Sequence, residues 1–525
     1  MLTITEKEGK CTVSREGCLV FECPVSFDPG RTLDLLRTIN SLQADDGTPI
    51  YAKYRIHKTP VWALMQEQLF WTYLQPLVKY RPVIDWLAEH ADEPVEISIE
   101  GIAIWHRLIK KSSDRQSPCA EWRDRLEILF LCVNAAICGL FGFLSGARVM
   151  LWSLNCRWGE RWIDYRLKDI YSILWEKKVP FIEGFPFPGF KVAFQRFFGS
   201  KRIVFYAPNI LKITSAARQG TQNVKYDFSR SPDLPENLIG PLIERFESYV
   251  ANAGLQARLL EKLLRLGGFR QIIGIDEHTS YAAILCAARH LNLEMIGLQH
   301  GVFHKYSIGW CTPGIPHEYT GGYGRIIVWG TFWRTLLAEL SSTYTEDRLE
   351  VGGFIRPSTI NLRPQTRRQK CAPFTILLPY EFLANAEEIA DYVHAFHKRG
   401  YKVLFKVRFD DTLDQQLAML PREKLELVPE LTQEIIDAIH VCAGTSTTMM
   451  YELLHLGVPA WFIETRHDSN IHMVEKGIAS RITLEMLEDE AFDPWQHMIF
   501  PSQDDSLFTL GGMPEKVLSL MRTTE

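Results

Sequence analysis

Residues 441–464 read VCAGTSTTMMYELLHLGVPAWFIE, and the change of rhythm inside this stretch decides the fold class. Val441-Cys442-Ala443 is a short apolar run that stops at Gly444. Four hydroxyl side chains follow, Thr445 to Thr448, and then MMYELLHLG reads as a helix that ends at a Gly-Val-Pro turn into the apolar AWFI. Strand, helix and strand in so few residues form a βαβ unit, whose crossover helix makes the two strands parallel and covers one face of their sheet.

The same alternation extends upstream. GRIIVWG, FTILLPY, YKVLFKVR and KLELVP are apolar runs separated by helical segments such as TFWRTLLAELSS and NAEEIADYVHAFHKRG. Earlier still, ARVMLWSLN, VPFIEG, KRIVFYAP, RQIIGID and LEMIGLQHG alternate with DYRLKDIYSILWEKK and HTSYAAILCAARHL. Strands apolar almost throughout require helices on both faces of a parallel sheet. The reading is two doubly wound Rossmann-like domains, residues 146–325 and 326–525, facing a cleft. Residues 1–145, short strands and then aromatic-rich helices, form an α+β accessory region.

Composition limits the partners. With 58 basic against 63 acidic residues the net charge is −5, so no global field draws the chain to nucleic acid. The eleven cysteines lack CxxC or Cys/His ligand spacing, which argues against structural zinc and for a reducing compartment. The first residues, MLTITEKEGKCTV, have no secretory-signal pattern, and cytoplasm is the expected placement. The segment Leu126–Ser145, LEILFLCVNAAICGLFGFLS, is long enough to cross roughly 30 Å of hydrocarbon. It reads as a buried helix or a monotopic membrane contact rather than a span. FIEGFPFPGFKVAFQRFFGSKR interleaves phenylalanines with cations, which suits either anionic lipid or an aromatic packing surface.

Ligands of open α/β sheets bind beyond the carboxyl ends of the strands, and the candidate residues stand there. Gly444 lets a ligand approach the backbone, while N–H groups and hydroxyls of Thr445, Ser446 and Thr447 suit phosphate oxygens. Glu452, in the following helix, can accept from ribose hydroxyls. The plainer alternative is a helix capped by serine and threonine. Gln299, His300 and Gly301 end another strand, with Gly301 open to an unusual backbone angle or a close ligand. Asp276 and Glu277 end a third. There Asp276 caps the next helix, or one of the two takes a proton or attacks a sugar carbon. No metal dyad of DxD type ends a strand; Asp410-Asp411 lack that context.

GTSTTMMYELLHLGVPAWFIE resembles the nucleotide-binding segment of GT-B glycosyltransferases, with loop, glutamate and Leu-Gly-Val-Pro turn in order. LEMIGLQHG resembles the Gln-His-Gly element of bacterial surface-polysaccharide transferases, the capsule, O-antigen and Kdo transferases and related polyol-phosphate polymerases. RIIVWG followed by RLEVGGFIRP is similar to that family's entry into its second domain. The resemblance covers about residues 146–480. It implies a GT-B fold, a nucleotide-sugar donor as substrate, no metal or other cofactor, and a glycan or lipid-linked glycan acceptor met at the membrane's inner face. It implies catalysis by Asp276, Glu277 and His300, and donor contacts from Gln299, Gly301, Arg356, Lys406, Arg408, Gly444, Thr445, Ser446, Thr447 and Glu452. One departure stands out: many relatives carry Lys-x-His-Pro where this chain has Lys406-Val407-Arg408-Phe409. Alternatives are a CDP-polyol phosphotransferase and a catalytically silent scaffold of a glycan-assembly complex.

Overall fold

The computed structural model describes residues 2–7, 10–25, 28–90, 93–110, 118–153, 164–200, 203–208, 226–228, 236–275, 282–354, 362–365, 373–381, 386–408, 413–417, 420–466, 468–500, 506–509 and 512–522. An N-terminal sheet comprises β1 (Leu2–Lys7), β2 (Lys10–Arg15), β3 (Cys18–Pro24) and β4 (Val95–Ile97). The first three form an antiparallel meander, and β4 pairs parallel with β1. Helix α1 (Pro29–Asn40) starts at Asp28, whose carboxylate accepts from the Arg31 N–H, with proline in the first turn. At its other end the buried Asn40 side chain bonds Gln66, Trp62 and the Pro313 carbonyl. A buried amide so fully satisfied fixes the accessory region onto the domain that follows it.

That domain holds a seven-stranded sheet: β5 (Val149–Trp152), β6 (Ile182–Pro186), β7 (Val204–Ala207), β8 (Gln271–Gly274), β9 (Glu294–Leu298), β10 (Arg325–Val328) and β11 (Leu349–Val351). Every pairing is parallel, and the order is β7-β6-β5-β8-β9-β10-β11. The helices used below are α2 (Pro118–Ser145), α3 (Lys168–Glu176), α4 (Phe190–Ser200), α5 (Glu236–Gly267), α6 (Ala282–His290) and α7 (Thr331–Leu340).

The second sheet contains β12 (Thr375–Pro379), β13 (Lys402–Lys406), β14 (Glu426–Val428), β15 (Val441–Gly444), β16 (Ala460–Ile463) and β17 (Ala479–Ile482), ordered β14-β13-β12-β15-β16-β17 and again all parallel. Its helices include α8 (Ala386–Lys398) and α9 (Met449–His455), and the chain ends in α10 (Gly512–Arg522). Ile376, Val403, Val441 and Trp461 bury into one core, while Leu377, Leu404, Cys442 and Ala460 bury into the other. Successive residues thus serve opposite faces, as a sheet covered on both sides demands. These are the two doubly wound Rossmann-like domains expected of a GT-B chain.

The domain boundaries need correcting. The runs RIIV and LEV, read as the start of a second domain at residue 326, are the last two strands of the first sheet. A strand joins whichever sheet offers it a partner. Here Gln299 supplies the tie: its side-chain oxygen accepts from the Trp329 N–H at 2.9 Å and its carbonyl from the indole at 2.8 Å. Helix α10 also returns to the first domain, against α3. The boundary at 145 moves as well, because α2 packs on α5 and along β7. Within α2, Asn134 donates to the Val204 carbonyl at 2.7 Å and accepts from the Tyr206 N–H at 2.9 Å. One side-chain amide thereby does for the edge of β7 what another strand would.

Candidate functional site

In both sheets the strand order reverses beside the first strand, between β5 and β8 and between β12 and β15, the position at whose carboxyl ends open α/β sheets bind ligands. At the second reversal the backbone of Gly444-Thr445-Ser446 leaves β15 beside Glu381, two residues beyond β12. Glu381 accepts from the Thr445 N–H at 2.7 Å, the Ser446 N–H at 2.9 Å, the Ser446 hydroxyl at 3.0 Å and the Thr445 hydroxyl. Burial of this carboxyl raises its pKa, and the four donors offset that rise only in part.

This changes the reading of Gly444. Its φ is not positive, and a Cβ there would run into Glu381 Oε1. The close approach that glycine allows is therefore by Glu381, which braces the loop from within. Sequence reasoning missed Glu381; the only signal was a carboxylate just past an apolar run. Thr447 accepts from the Met449 N–H at 3.2 Å just before α9, whose N-cap Thr448 makes no side-chain capping bond. Glu452 is buried in the first turn of that helix. Buried Asn470 donates its N–H to the Thr445 carbonyl at 3.0 Å and so holds the loop's other side.

Lys406 and Arg408 are half-buried. Lys406 donates to the carbonyls of Val407 at 2.6 Å and Pro429 at 2.9 Å, and burial lowers its pKa. Its ammonium ties β13 to the chain beyond β14 rather than standing clear for a phosphate. The Arg408 backbone is clasped by the Gln416 amide. Arg356 and Asp410-Asp411 lie outside the described residues.

In the first domain, β8 and β9 are neighbours, with Gly274 opposite Gly297. His300 Nδ1 lies 2.6 Å from the Ile275 carbonyl. A carbonyl only accepts, so Nδ1 carries the hydrogen and, in the neutral ring, Nε2 the lone pair. Asp276 and Glu277 come directly after Ile275 in the chain and lie outside the described residues. Gln299 is fully buried, and its amide also donates to the Gly301 carbonyl at 2.9 Å. With both ends of the amide committed, Gln299 positions His300 instead of offering itself to a donor. Gly301 does not have a positive φ, and a Cβ on it would meet nothing within 4 Å. It borders open space without being conformationally required.

A second cluster went unread in the sequence. Ser153, just beyond β5, donates its hydroxyl to Asp164, whose carboxylate also accepts from the Arg166 guanidinium at 2.6 Å and the Arg166 N–H at 2.9 Å. All three residues are buried.

The two sets of strand ends face each other. Lys305 and Tyr306, in the loop that follows Gln-His-Gly, both bond Asp468, at 2.7 and 2.6 Å. Asp468 is two residues from Asn470, which holds the Thr445 loop. Burial pushes the Asp468 pKa up, but the bonds from Lys305 and Tyr306 and the lysine charge outweigh it and hold the carboxyl below its usual value. Among the described residues one group has metal-ligand spacing, His57, Glu261 and His290. It lies by the amino ends of the strands, its histidine rings stack at 4.2 Å, and Arg265 is paired with Glu261 at 2.7 Å.

The fold and this geometry define a class, two Rossmann-like domains with their strand ends turned to a shared cleft. Neither a protein-family model nor a curated protein matches the chain. Similar solved structures include CalG4, the calicheamicin glycosyltransferase, at 13% identity and a TM-score of 0.40, covering 72% of this chain and 98% of that one. Another is UDP-GlcNAc 2-epimerase from Methanocaldococcus jannaschii, at 12% identity and a TM-score of 0.40, covering 71% and 99%. A glycosyltransferase from Rickettsia africae ESF-5 is 10% identical with a TM-score of 0.37, covering 72% and 98%.

Proposed function

We propose that the protein is a glycosyltransferase that moves a sugar from a nucleotide-activated donor to a growing surface glycan. We propose further that the acceptor is lipid-linked, that the protein works at the inner face of the cytoplasmic membrane, and that no metal is essential. The observation that carries the reading is the meeting of two loops across the cleft. The Gln-His-Gly loop at the end of β9 and the Gly-Thr-Ser-Thr-Thr loop at the end of β15 are joined through Lys305, Tyr306, Asp468 and Asn470.

In this reading the nucleotide lies against the second domain. Ser446 and Thr447, half-buried on a loop that Glu381 and Asn470 hold, lie on the diphosphate side, the Ser446 hydroxyl exchanging its bond to Glu381 for one to a phosphate oxygen, and Glu452 takes the ribose. Arg356 and Arg408 supply positive charge, so that fixed dipoles and cations stabilise the leaving phosphate. The acceptor approaches the first domain. There Asp276, Glu277 or His300 removes its proton, the Nδ1 bond to Ile275 placing the neutral ring's lone pair on Nε2. A carboxylate of the pair could instead attack the anomeric carbon in a retaining double displacement.

The test is a panel of UDP-, GDP-, dTDP-, CMP- and CDP-linked donors, read by thermal shift and by hydrolysis, with and without EDTA. One nucleotide class should raise the melting temperature and be hydrolysed slowly whether or not EDTA is present. Release of a free epimerised sugar nucleotide, or no response to any donor, would remove the reading. On the binding side, Glu452→Ala and Ser446→Ala should each weaken nucleotide binding by about 1–3 kcal/mol in calorimetry.

A further inference from the structure

We propose that the outward face of α2 is a membrane-docking surface that lies in the plane of an anionic bilayer. Helix α2 turns one side to the protein and the other to solvent. The solvent side carries Leu126, Leu129, Val133, Ala136, Ile137, Leu140, Phe143 and Leu144, at steps of three or four residues with Ala136-Ile137 and Phe143-Leu144 adjacent. No polar side chain interrupts this stripe, whose seven large residues are 45–75% exposed and which runs about 27 Å at helical rise. A soluble chain rarely leaves so long an apolar ridge in water without something to cover it.

The opposite side of α2 is anchored along its length. Asn134 pairs with β7, and Gly139 and Gly142 admit the backbone at Leu266 and Ala147 so closely that a Cβ would collide. A spanning orientation would strip these contacts and leave Asn134 and the edge of β7 unpaired in hydrocarbon. An in-plane orientation keeps all of them. The sequence-level choice between a buried helix and a membrane contact is therefore met half-way, with one face of α2 buried and the other bare.

Neighbouring elements extend the ridge. Phe194 on α4 is 51% exposed with its ring 6.2 Å from that of Phe130, and Leu266 at the end of α5 is 52% exposed. Of the phenylalanine-rich segment, Phe185 and Phe187 are core residues, so only its helical part reaches the surface; the Phe197 and Phe198 side chains lie outside the description. The rim is basic. Arg125, Lys191 and Lys262 are exposed, Arg265 is exposed but paired with the partly buried Glu261 at 2.7 Å, and no exposed carboxylate occurs among the described side chains of residues 125–145, 190–196 and 260–267. Lys191 stands three residues before Phe194 and Lys262 four before Leu266, so each cation shares a helix face with an exposed apolar side chain. On a chain of net charge −5 this local excess complements phosphate headgroups. An apolar ridge without a single hydrogen-bonding group fits acyl chains better than a protein interface, which carries about one hydrogen bond per 100–200 Å².

The placement also serves the cleft, a point that rests on the proposed glycosyl transfer. The amino-terminal half of α2 meets the carboxyl ends of β6 and β7, where Phe130 lies 5.3 Å from Phe187 and 6.1 Å from Tyr206 between ring centroids. The cleft thus opens toward the Arg125 end of the docking face, where a lipid-linked acceptor would rise from the bilayer.

The test is sedimentation with vesicles of phosphatidylcholine alone or mixed with phosphatidylglycerol, without donor, so that its outcome is independent of the nucleotide site. Wild-type protein should pellet with the anionic vesicles. Replacing Leu129, Leu140 and Phe143 together with serine should lower the partition coefficient by a factor on the order of a hundred or more, with circular dichroism and nucleotide binding unchanged. Because a multiple substitution can misfold, the second variant carries Lys191→Glu and Lys262→Glu. It should lose most of the preference for anionic over neutral vesicles. Wild-type protein that stays in the supernatant with both vesicle types overturns the proposal. So does a concentration-dependent dimer that the serine variant abolishes while vesicles bind neither protein, which would assign the face to a second copy of the chain.

Discussion

The two sheets share a strand order, and each gathers buried polar groups where that order reverses, but they do so with opposite electrostatics. Beyond β5, Asp164 is neutralised by Arg166 in a buried ion pair, with the Ser153 hydroxyl as a further donor. Beyond β12, the described partners of Glu381 are two backbone N–H groups and two hydroxyls of Thr445 and Ser446, none of which carries a charge. The first cluster is a buried ion pair, and the proposed chemistry falls to the neighbouring strand ends, at Ile275 and His300. The second is a loop wrapped around the Glu381 carboxyl, which takes up the Thr445 and Ser446 N–H groups that the sequence offered to phosphate. The difference teaches that switch-point position alone does not make a ligand site; the polar groups already paired there decide which donors are left for a ligand.

The largest effect should come from the chemistry assigned to the first domain. Asp276→Asn, Glu277→Gln and His300→Ala, assayed separately for turnover with a folding control, should include at least one loss of about 10²–10⁴-fold with donor affinity kept. Near-wild-type turnover in all three would move catalysis out of this cluster and dissolve the division of labour between the sheets. A glycosyl adduct on the peptide containing Asp276 and Glu277, sought by mass spectrometry after donor is added, would identify a nucleophile rather than a base.

The contrast between the two clusters can be measured directly. Asp164→Ala leaves the Arg166 guanidinium buried without its counter-ion and should cost about 3–5 kcal/mol in denaturant unfolding. Glu381→Ala leaves two enclosed N–H groups without acceptors and should cost less, about 1–3 kcal/mol. Only Glu381→Ala should also weaken nucleotide binding, because only that carboxylate shapes the loop. Equal effects of both variants on nucleotide affinity would erase the distinction.

Acid should act on the second domain through His472. His472 is buried against the Tyr451 hydroxyl, and burial lowers its pKa to about 4. The unfolded chain therefore binds this proton at higher pH than the folded one. Its contribution to stability is present above an ordinary histidine pKa near 6.5 and is lost as pH falls toward about 4. Unfolding followed from pH 7 to pH 4 should show a slope that His472→Gln flattens, and an unchanged slope would exclude His472 as its source. The burial-raised pKa of Glu381 works in the other direction, giving stability that declines as pH rises through the folded value.

The smallest effect belongs to the bridge between the domains. Asp468 and Lys305 are partly exposed, so Asp468→Asn should alter global stability by less than about 1 kcal/mol. Small-angle scattering should nonetheless detect a wider separation of the domains. With its pKa held below the usual value, Asp468 keeps this contact above that value and releases it only in stronger acid. A scattering profile unaffected by the substitution would mean that other contacts set the cleft.

Much of this protein was legible from local pattern. Apolar runs interrupted by amphipathic helices follow from the periodicities of strand and helix, which depend on neighbouring residues alone, and they predicted two parallel, doubly wound sheets. The strand-end loops at Gln299–Gly301 and Gly444–Thr447 were equally visible, because a parallel strand must stop where its apolar run stops. What tertiary structure alone decided was partnership. That RIIV and LEV close the first sheet lies in their parallel pairing beside β9, reinforced by Gln299 reaching Trp329, a contact across thirty positions that no local pattern records. That Gly444 makes room for Glu381, that Lys406 is committed to carbonyls, and that α2 buries one face while leaving the other bare are likewise consequences of which groups meet across the chain. Local sequence sets each segment's periodicity and where it ends, whereas hydrogen-bond satisfaction and burial are properties of pairs brought together only by folding.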